Sequence, residues 1–481
     1  MEFTAEKCAE FIESAKAKLV ELYDIKDNFH SAVSKEKQEK LMELIKNINS
    51  YLDSAGDNDS GEICLLKGKA YNALEVYTKE AEDLLSKAAK RNPTNAEVWL
   101  QLGLCFWKKN DRSQALTCFN ESISQKETKE ALREMSVLTR QIQRKNSSPE
   151  SSSSESIKLA KRAISIDMND AQSWYVLGNA YYTKFFSLSN NMNDLKLAMN
   201  AYKLSLEKGG DSNPDLYYHR GNIARYLQDF DLAVSSYNRA YYLDPGHDAA
   251  ATAAIEVTEF INKIDGLVTQ CKNALKNKEG NNNNDNNNNT NNTNSIKIKR
   301  KRVLQMIESL NSTTGKNKGA RTALSSLAEV GTSHVSICNL QSGNNEKVVI
   351  SLRVVLCMSQ GSMPPESFLC IDSNGKLCML SVYQVGVAAA QFASESIITI
   401  VEPVLLENSN EGENKENSAD ESVDYYDDDV LGNKASSVKS FSSIGIPVIQ
   451  VTDLASLAFD GRMINKGSIM APSIRIETSD T

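Results

Sequence analysis

Three stretches of this chain repeat one spacing of aromatic, leucine, glycine, alanine and aromatic. Trp99, Leu102, Gly103, Phe106, Ala115 and Phe119 set it out. Trp174, Leu177, Gly178, Tyr181, Ala198 and Tyr202 follow it with an insertion between the two halves. Tyr217, Gly221, Ala233, Tyr237, Ala240 and Pro245 follow it without one. Gly68, Ala81, Leu85, Ala88 and Pro93 make a looser first copy. A repeat of about 34 residues with this content is a pair of antiparallel helices. One pair cannot bury its own apolar face, so successive pairs stack into a solenoid. Glycine or alanine lets paired helices approach, and the aromatics are expected to fill the gap between one pair and the next.

The spacing is that of tetratricopeptide (TPR) repeats. A less regular third copy starts with a helix over Lys129–Arg144, with Leu132, Met135 and Ser136 in the framework places. Its second helix is expected at Ile157–Ile166. The intervening SSPESSSSES, residues 147–156, reads as a solvated loop. After Pro245 a helix from about Asp248 to Lys276 would close the array. Upstream, Phe11, Ala15, Leu19 and Leu22 recur at helical spacing, as do Leu41, Leu44, Ile45, Ile48 and Leu52. They predict two amphipathic helices, which serve equally as a cap, a divergent repeat or a separate hairpin.

Downstream the character changes. NNNNDNNNNTNNTN (residues 281–294) is too polar to bury a core and is expected to be a disordered insert. SIKIKRKRVLQMIESL, residues 295–310, is a basic turn running into an apolar helix. From about Lys347 the apolar period becomes two: Ile350, Leu352, Val354 and Leu356 alternate with Ser351, Arg353 and Val355. Phe368–Asp372 and Lys376–Tyr383 flank Ser373-Asn374-Gly375, a hairpin signal in which both Asn and Gly are expected at positive φ. Ile397–Val401 and Ile444–Val451 add strands. About five strands with one long connection, which contains the acidic DESVDYYDDD at 420–429, predict a small antiparallel β-barrel of OB-fold type. The expected fold class is therefore α + β and multidomain. Residues 1–57 would be a helical cap and 58–276 the repeat array. Residues 277–312 would hold the Asn-rich insert and basic helix. Residues 313–481 would be the OB-like domain, with its acidic loop at 407–437.

Composition excludes several classes. The formal charge of -8 argues against binding nucleic acid by bulk positive charge. The nine cysteines are scattered, which reads as reduced thiols in cytosol or nucleus. Cys370 and Cys378 lack the second pair that a zinc site needs, and read as buried apolar cysteines. MEFTAEKCAEFIESAK has no apolar core of the signal-peptide kind. The longest apolar runs are too short to span a membrane. The four histidines, His30, His219, His247 and His334, fall in no metal or catalytic spacing. No phosphate-binding glycine loop, nucleophile elbow or HExxH string is present, so neither an enzyme nor a cofactor is expected.

Repeats followed by a basic turn and a small barrel resemble the tetratricopeptide repeat protein five (Strap) family. The strings that carry the resemblance include EDLLSKAAKRNP (82–93), WLQLGLCFWKKND (99–111), SVLTRQ (136–141), SWYVLGNAYY (173–182), SNPDLYYHR (212–220), KIKRKR (297–302), IDSNG (371–375), SVYQV (381–385) and SFSS (440–443). The resemblance implies a ribosome-associated adaptor that binds the N-terminal Met-Arg-Glu of nascent α- and β-tubulin. It implies decay of the translating tubulin mRNA through a recruited adaptor and deadenylase complex. Animal members are also described as nuclear stress-response cofactors for a histone acetyltransferase, which would add a nuclear role to a cytoplasmic one. No membrane partner is implied.

Site residues follow from helix position and from the resemblance. Asp215 is the second residue of a repeat's first helix, a place that faces the concave groove; its carboxylate can accept a charge-assisted bond from the peptide's Arg. Asn213-Pro214-Asp215 is equally a good helix start. Arg140 falls near the twelfth place of the third repeat's first helix and can pair with the peptide's Glu. Asn179 and Asn222 each follow the repeat glycine, where asparagine is a poor helix former, and are assigned to the peptide backbone. Tyr175, Tyr182, Tyr218 and Arg225 occupy other groove places. The family's acid in the last repeat falls at Ala249, so Asp248 is the candidate replacement. Lys297, Lys299, Arg300, Lys301 and Arg302 form a basic run. It resembles the family's segment facing ribosomal RNA, and Lys90 resembles a second ribosome-facing position. The same run also reads as a nuclear import signal. Phe368, Tyr383 and Phe441 are the barrel's few strand aromatics, too few for a single-strand binding face.

Overall fold

A computed structural model describes residues 5–28, 34–54, 60–146, 149–189, 191–276, 298, 300–314, 333–358, 365–383, 396–406, 440–452, 456–459 and 462–463. The chain divides into two compact units, residues 1–223 with 236–251, and residues 224–235 with 252–474.

In the first unit the helices come in pairs. α1 (Ala5–Asn28) and α2 (Ser34–Asp53) precede α3 (Gly61–Tyr71) and α4 (Lys79–Arg91). Next come α5 (Ala96–Lys108) and α6 (Arg112–Gln125), then α7 (Lys129–Asn146) and α8 (Pro149–Ile166). α9 (Ala171–Lys184) pairs with α10 (Met192–Glu207) across a short π-turn at Phe185–Ser189. α11 (Pro214–Tyr226), α12 (Phe230–Leu243) and α13 (Asp248–Lys276) contribute residues to both units.

The first two helices belong to the array's core. Leu19, Leu22, Leu41, Ile45 and Ile48 share one buried cluster with Ile63, Leu66 and Ala70 of α3. The repeat glycine is required by close approach. A Cβ on Gly178 would stand 2.4 Å from the Tyr202 ring, and one on Gly221 2.6 Å from the Tyr237 ring. The second-helix aromatic thus sits over the glycine of its own pair, not in the gap to the next pair. Lys108 braces the turn after α3 by donating to the carbonyls of Asn72, its C-cap, and Leu74 beyond it. Burial pushes its ammonium down to about 8.

The serine run departs from expectation. Helix α8 begins at Pro149 and runs through most of residues 147–156. Proline suits the first helical position because its fixed φ is helical and its missing N–H would have been unbonded there. Farther along, Ser156 is buried and donates to Ser136 O at 3.0 Å, while Ser136 Oγ donates to Ser156 O at 2.8 Å. Ser136 stands in the place of the repeat glycine, and this reciprocal pair replaces the glycine–aromatic contact.

The second unit is a mixed sheet with helices. α14 (Arg300–Thr314) buries Val303, Met306 and Leu310. The strands are β1 (Ser333–His334), β2 (Gly343–Asn344), β3 (Val348–Met358), β4 (Glu366–Ile371) and β5 (Leu377–Val382). They continue with β6 (Ile397–Val401), β7 (Val404–Leu405), β8 (Val448–Val451), β9 (Leu457–Phe459) and β10 (Arg462–Met463). The hydrogen-bonded order is β10-β9-β6-β3-β4-β5-β8-β7-β2, which does not close among the described residues. β5–β8 and β1–β3 are parallel. Long connections free those pairs from the antiparallel geometry that a tight hairpin imposes. The last predicted strand starts late, because Phe441–Ile444 forms a 3-10 turn.

The β4–β5 hairpin also differs from the expected two-residue turn. Only Gly375 has positive φ, at 79°. Asp372 N donates to Lys376 O at 2.9 Å, so three residues form the loop, and such loops need the left-handed conformation only at their last residue. Cys370 and Cys378 face each other across β4 and β5, fully buried among apolar neighbours.

The tip of the fifth repeat is part of this unit's core. Tyr383 Oη donates to Tyr226 O at 2.9 Å, Ser381 Oγ to Gln228 Oε1 at 2.8 Å, and Gln450 Nε2 to Tyr383 Oη at 3.0 Å. Asp231 accepts from Phe441 N (2.7 Å), Ser442 Oγ (2.6 Å), Ser440 Oγ (2.8 Å) and Ser442 N (3.2 Å). Phe441 packs edge-on against Phe230.

Candidate functional site

The fourth and fifth repeats build an aromatic floor in the first unit. Tyr175 and Tyr182 come from α9, Tyr202 from α10, and Tyr218 and His219 from α11. The His219 ring stacks with Tyr175 and Tyr202 at 6.5 Å each, and lies 5.1 Å from Tyr182 and 5.7 Å from Tyr218. Tyr182 and Tyr202 are buried, and burial pushes both hydroxyls above their ordinary range. Both therefore stay neutral, Tyr202 donating to Asn179 and Tyr182 accepting from Asn222.

The two asparagines are wired into this floor. Asn179 Oδ1 accepts from Tyr202 Oη at 2.6 Å, and Asn222 Oδ1 from Tyr237 Oη at 2.8 Å. Asn222 Nδ2 reaches Tyr182 Oη at 3.4 Å. A framework tyrosine thus commits each amide oxygen, and the N–H2 of Asn179 is the group left to serve a ligand carbonyl.

Two opposite charges act on this floor. Burial dominates the Tyr202 hydroxyl. Beyond that, half-buried Arg140 on α7 pulls its pKa down and Asp215 on α11 pushes it up. Asn213 Oδ1 accepts from Leu216 N at 3.2 Å and caps α11, as the helix-start reading of this segment expects. Asp215 itself faces His247, with Oδ1 3.5 Å from Nε2. That is an ion-pair separation, not a well-aligned hydrogen bond.

The remaining residues lie elsewhere. Arg225 is buried in the second unit, and its Nη1 donates to Glu256 Oε2 at 2.9 Å. Asp248 is exposed on the first turn of α13. Lys90 is exposed at the end of α4, and Lys301 is exposed on the first turn of α14 beside half-buried Arg300 and Arg302. Lys297 and Lys299 lie outside the described residues, as do most of the Asn-rich insert and the acidic loop. In the sheet unit Phe368 and Tyr383 are fully buried and Phe441 is packed on Phe230, so none presents a stacking face. No group of three or more His, Cys, Asp or Glu among the described residues could hold a metal. No helix of the described residues is long and apolar enough to cross a membrane.

Sequence reasoning missed His219 and His247, which it dismissed for lack of a metal or catalytic spacing. It also missed the hydroxyls of Tyr202 and Tyr237, which it counted as framework. A signal for the second pair was present: the repeats with Gly-Asn are those whose second-helix aromatic is tyrosine, and the repeat with Gly103-Leu104 carries Phe119.

Comparisons with known proteins agree with this architecture. A tetratricopeptide-repeat model matches residues 96–129 and 214–247, and the model of the tetratricopeptide repeat protein 5 OB fold domain matches residues 331–473. Tetratricopeptide repeat protein 5 of Homo sapiens is 28% identical over 376 residues, 76% of this chain and 80% of its own length. The Mus musculus protein of that name is 29% identical over 352 residues, 72% and 74% of the two chains. The chain is similar to tetratricopeptide repeat protein 5 along about three quarters of its length. Among solved structures, a thermophilic TPR protein of Thermus thermophilus aligns with a TM-score of 0.35 at 16% identity. It covers 41% of this chain and 98% of its own, too weak a likeness to carry an argument. The tetratricopeptide repeats, with this similarity, make the chain a TPR adaptor of the protein-binding kind.

Proposed function

We propose that this protein reads the N-terminal Met-Arg-Glu of nascent α- and β-tubulin at the ribosome and triggers decay of the translating tubulin mRNA. The observation that carries the reading is Asp215, 41% exposed on the first turn of α11 next to the tyrosine–histidine floor, with half-buried Arg140 on α7 as the opposite charge. A peptide with adjacent Arg and Glu has the complementary pair, and charge-assisted bonds to guanidinium and carboxylate are the strong, directional kind. The N–H2 of Asn179 supplies a donor for the peptide backbone, and the tyrosine–histidine floor supplies apolar area for the methionine. Exposed Lys90 and the basic run from Lys297 to Arg302 are the segments that would meet ribosomal RNA phosphates in the cytoplasm. A recruited adaptor and deadenylase complex would then act on the mRNA. In the nucleus, the same array would serve histone acetyltransferase cofactors.

Titration of a fluorescent Met-Arg-Glu peptide tests the groove. Asp215→Lys should weaken binding by about 100-fold, the scale of unpairing one partner of a desolvated charge pair. Unchanged affinity in a folded variant sinks the assignment. Lys299→Glu/Lys301→Glu should lose co-sedimentation with ribosomes translating tubulin while keeping peptide affinity. Tubulin mRNA measured after microtubule depolymerisation, with and without the protein, tests the outcome in cells.

A further inference from the structure

The groove carboxylate has an internal partner, and the geometry around that partner is specific. His247 occupies the N-cap place of α13, with its side chain only 8% exposed. Its Nδ1 accepts from Ala250 N at 3.2 Å, so Nδ1 carries no proton and the ring hydrogen sits on Nε2. Nε2 faces Asp215 Oδ1 at 3.5 Å, and the Tyr218 ring lies 4.8 Å from the imidazole. Asp215 is 41% exposed, so one side of the carboxylate is held from within the fold while the other can meet a ligand.

We infer that His247 is a positioning and specificity residue of this groove: its Nε2–H aims the Asp215 carboxylate, and its charge state sets how strongly that carboxylate takes a cationic side chain. The inference rests on the groove reading above. It also fits the departure from the family pattern at Ala249, because the last repeat then reaches the site through a base that steers an acid, not through an acid of its own.

Opposing influences act on the imidazole. Burial favours the neutral ring, and so does the helix cap, which needs a lone pair on Nδ1 and sits at the positive end of α13. Asp215 on α11 favours the imidazolium, and so does Asp244 at the end of α12. Together they hold the His247 pKa above its ordinary value. The Tyr218 ring packs against the imidazole as well. Exposed Asp248 follows on the same helix. Below its pKa the imidazolium competes with an incoming guanidinium for Asp215. Above it the neutral ring still faces Asp215 through Nε2 but carries no charge and no longer competes. Affinity for an Arg-bearing peptide should therefore rise as pH rises through the His247 pKa.

The test uses the full chain and the Met-Arg-Glu peptide, titrated between about pH 6 and pH 8.5. His247→Gln keeps an N–H donor near the Nε2 place without a titrating charge, and Asp215→Asn removes the carboxylate. The ratio of wild-type Kd to His247→Gln Kd should rise about five-fold from the top of that range to the bottom. The peptide's α-amino group titrates there too, at about 8, and cancels in the ratio. Parallel profiles overturn the inference. A second readout needs no variant. Because linkage is reciprocal, saturating peptide must lower the His247 pKa, followed by imidazole NMR on the wild type; an unmoved titration also overturns it. Normal peptide binding by Asp215→Asn would instead remove the groove reading itself, whatever the pH profiles show.

Discussion

The second repeat and the fourth and fifth repeats share a frame and differ in a ring hydroxyl and in the residue after the glycine. A Cβ added to Gly103 would meet the Phe119 ring at 2.5 Å, much as one on Gly178 or Gly221 would meet Tyr202 or Tyr237. In the second repeat the next residue is Leu104, which packs against the same apolar cluster as Phe119. In the later repeats the next residue is asparagine, held by the tyrosine hydroxyl that phenylalanine lacks. The helix-pair geometry is thus set by glycine and ring, while the chemistry of the groove floor is set by hydroxyl and amide. Framework and function share one residue pair, so a framework residue can be read wrongly as inert.

The shared half of the comparison predicts the largest effect. Gly178→Val forces its branched side chain against a fully buried ring and should cost about 3 kcal/mol, the upper range for overpacking. Gly266→Val on α13 is the control, because a Cβ there meets nothing within 4 Å. Urea denaturation should separate the two; equal losses would mean that helix propensity and not close approach explains the repeat glycine.

The differing half predicts the next effect. Tyr202→Phe leaves buried Asn179 Oδ1 without its donor and should cost about 2 kcal/mol, the penalty of an orphaned buried acceptor. The mirror experiment in the second repeat is Phe119→Tyr, which buries a hydroxyl with no amide beside it. Adding Leu104→Asn to that variant should recover part of its loss. A double-mutant cycle with no coupling would show that the two repeats do not differ in the way proposed.

These pairs also mark what was legible. Helix pairing, the long helix after Pro245 and the main strands of the sheet follow from period and spacing alone. The places of Arg140 on α7 and Asp215 on the first turn of α11 follow from helix position. The histidines were not legible, since His247 meets Asp215 across a gap of 32 positions that only the stacking of α11 against the start of α13 closes. The serine run was misread because its composition argues for a loop, whereas the buried Ser136–Ser156 pair and Pro149 favour a helix. Arg225 was assigned by position too, yet it is committed to Glu256, which sequence separation hides.

The comparison extends to the second helix of each repeat. In the second repeat Ser113 bonds back to Asp111, the N-cap of its own helix, at 2.9 Å. At the matching place in the fifth repeat stands Asp231, which accepts the four donors from residues 440–442. Burial alone would raise the Asp231 pKa, but these donors outweigh it and hold the carboxyl below its ordinary value. A depressed carboxyl contributes stability above its unfolded pKa and loses it as pH falls through the folded one. Asp231→Asn should therefore cost about 1.5 kcal/mol at neutral pH, allowing for solvent screening of a partly exposed group. The gap from wild type in urea midpoint should shrink as pH drops below the ordinary aspartate range of about 4. A gap that stays constant with pH would mean that the turn needs the shape of Asp231 and not its charge.

The smallest effect separates the two tyrosine–asparagine pairs from each other. Tyr237→Phe removes the donor to Asn222 Oδ1, as Tyr202→Phe does for Asn179. Asn222, however, has a second neighbour in Tyr182, whose hydroxyl lies 3.4 Å from Nδ2. If the amide turns over, that hydroxyl can donate to the displaced oxygen, because a phenol both gives and accepts. The loss should then be about 1 kcal/mol, half that of Tyr202→Phe. Removing Tyr182 as well, in Tyr182→Phe/Tyr237→Phe, abolishes the rescue and should cost more than the sum of the two single changes. Strict additivity would show that Asn222 does not turn, and that the two pairs stabilise the groove floor equally.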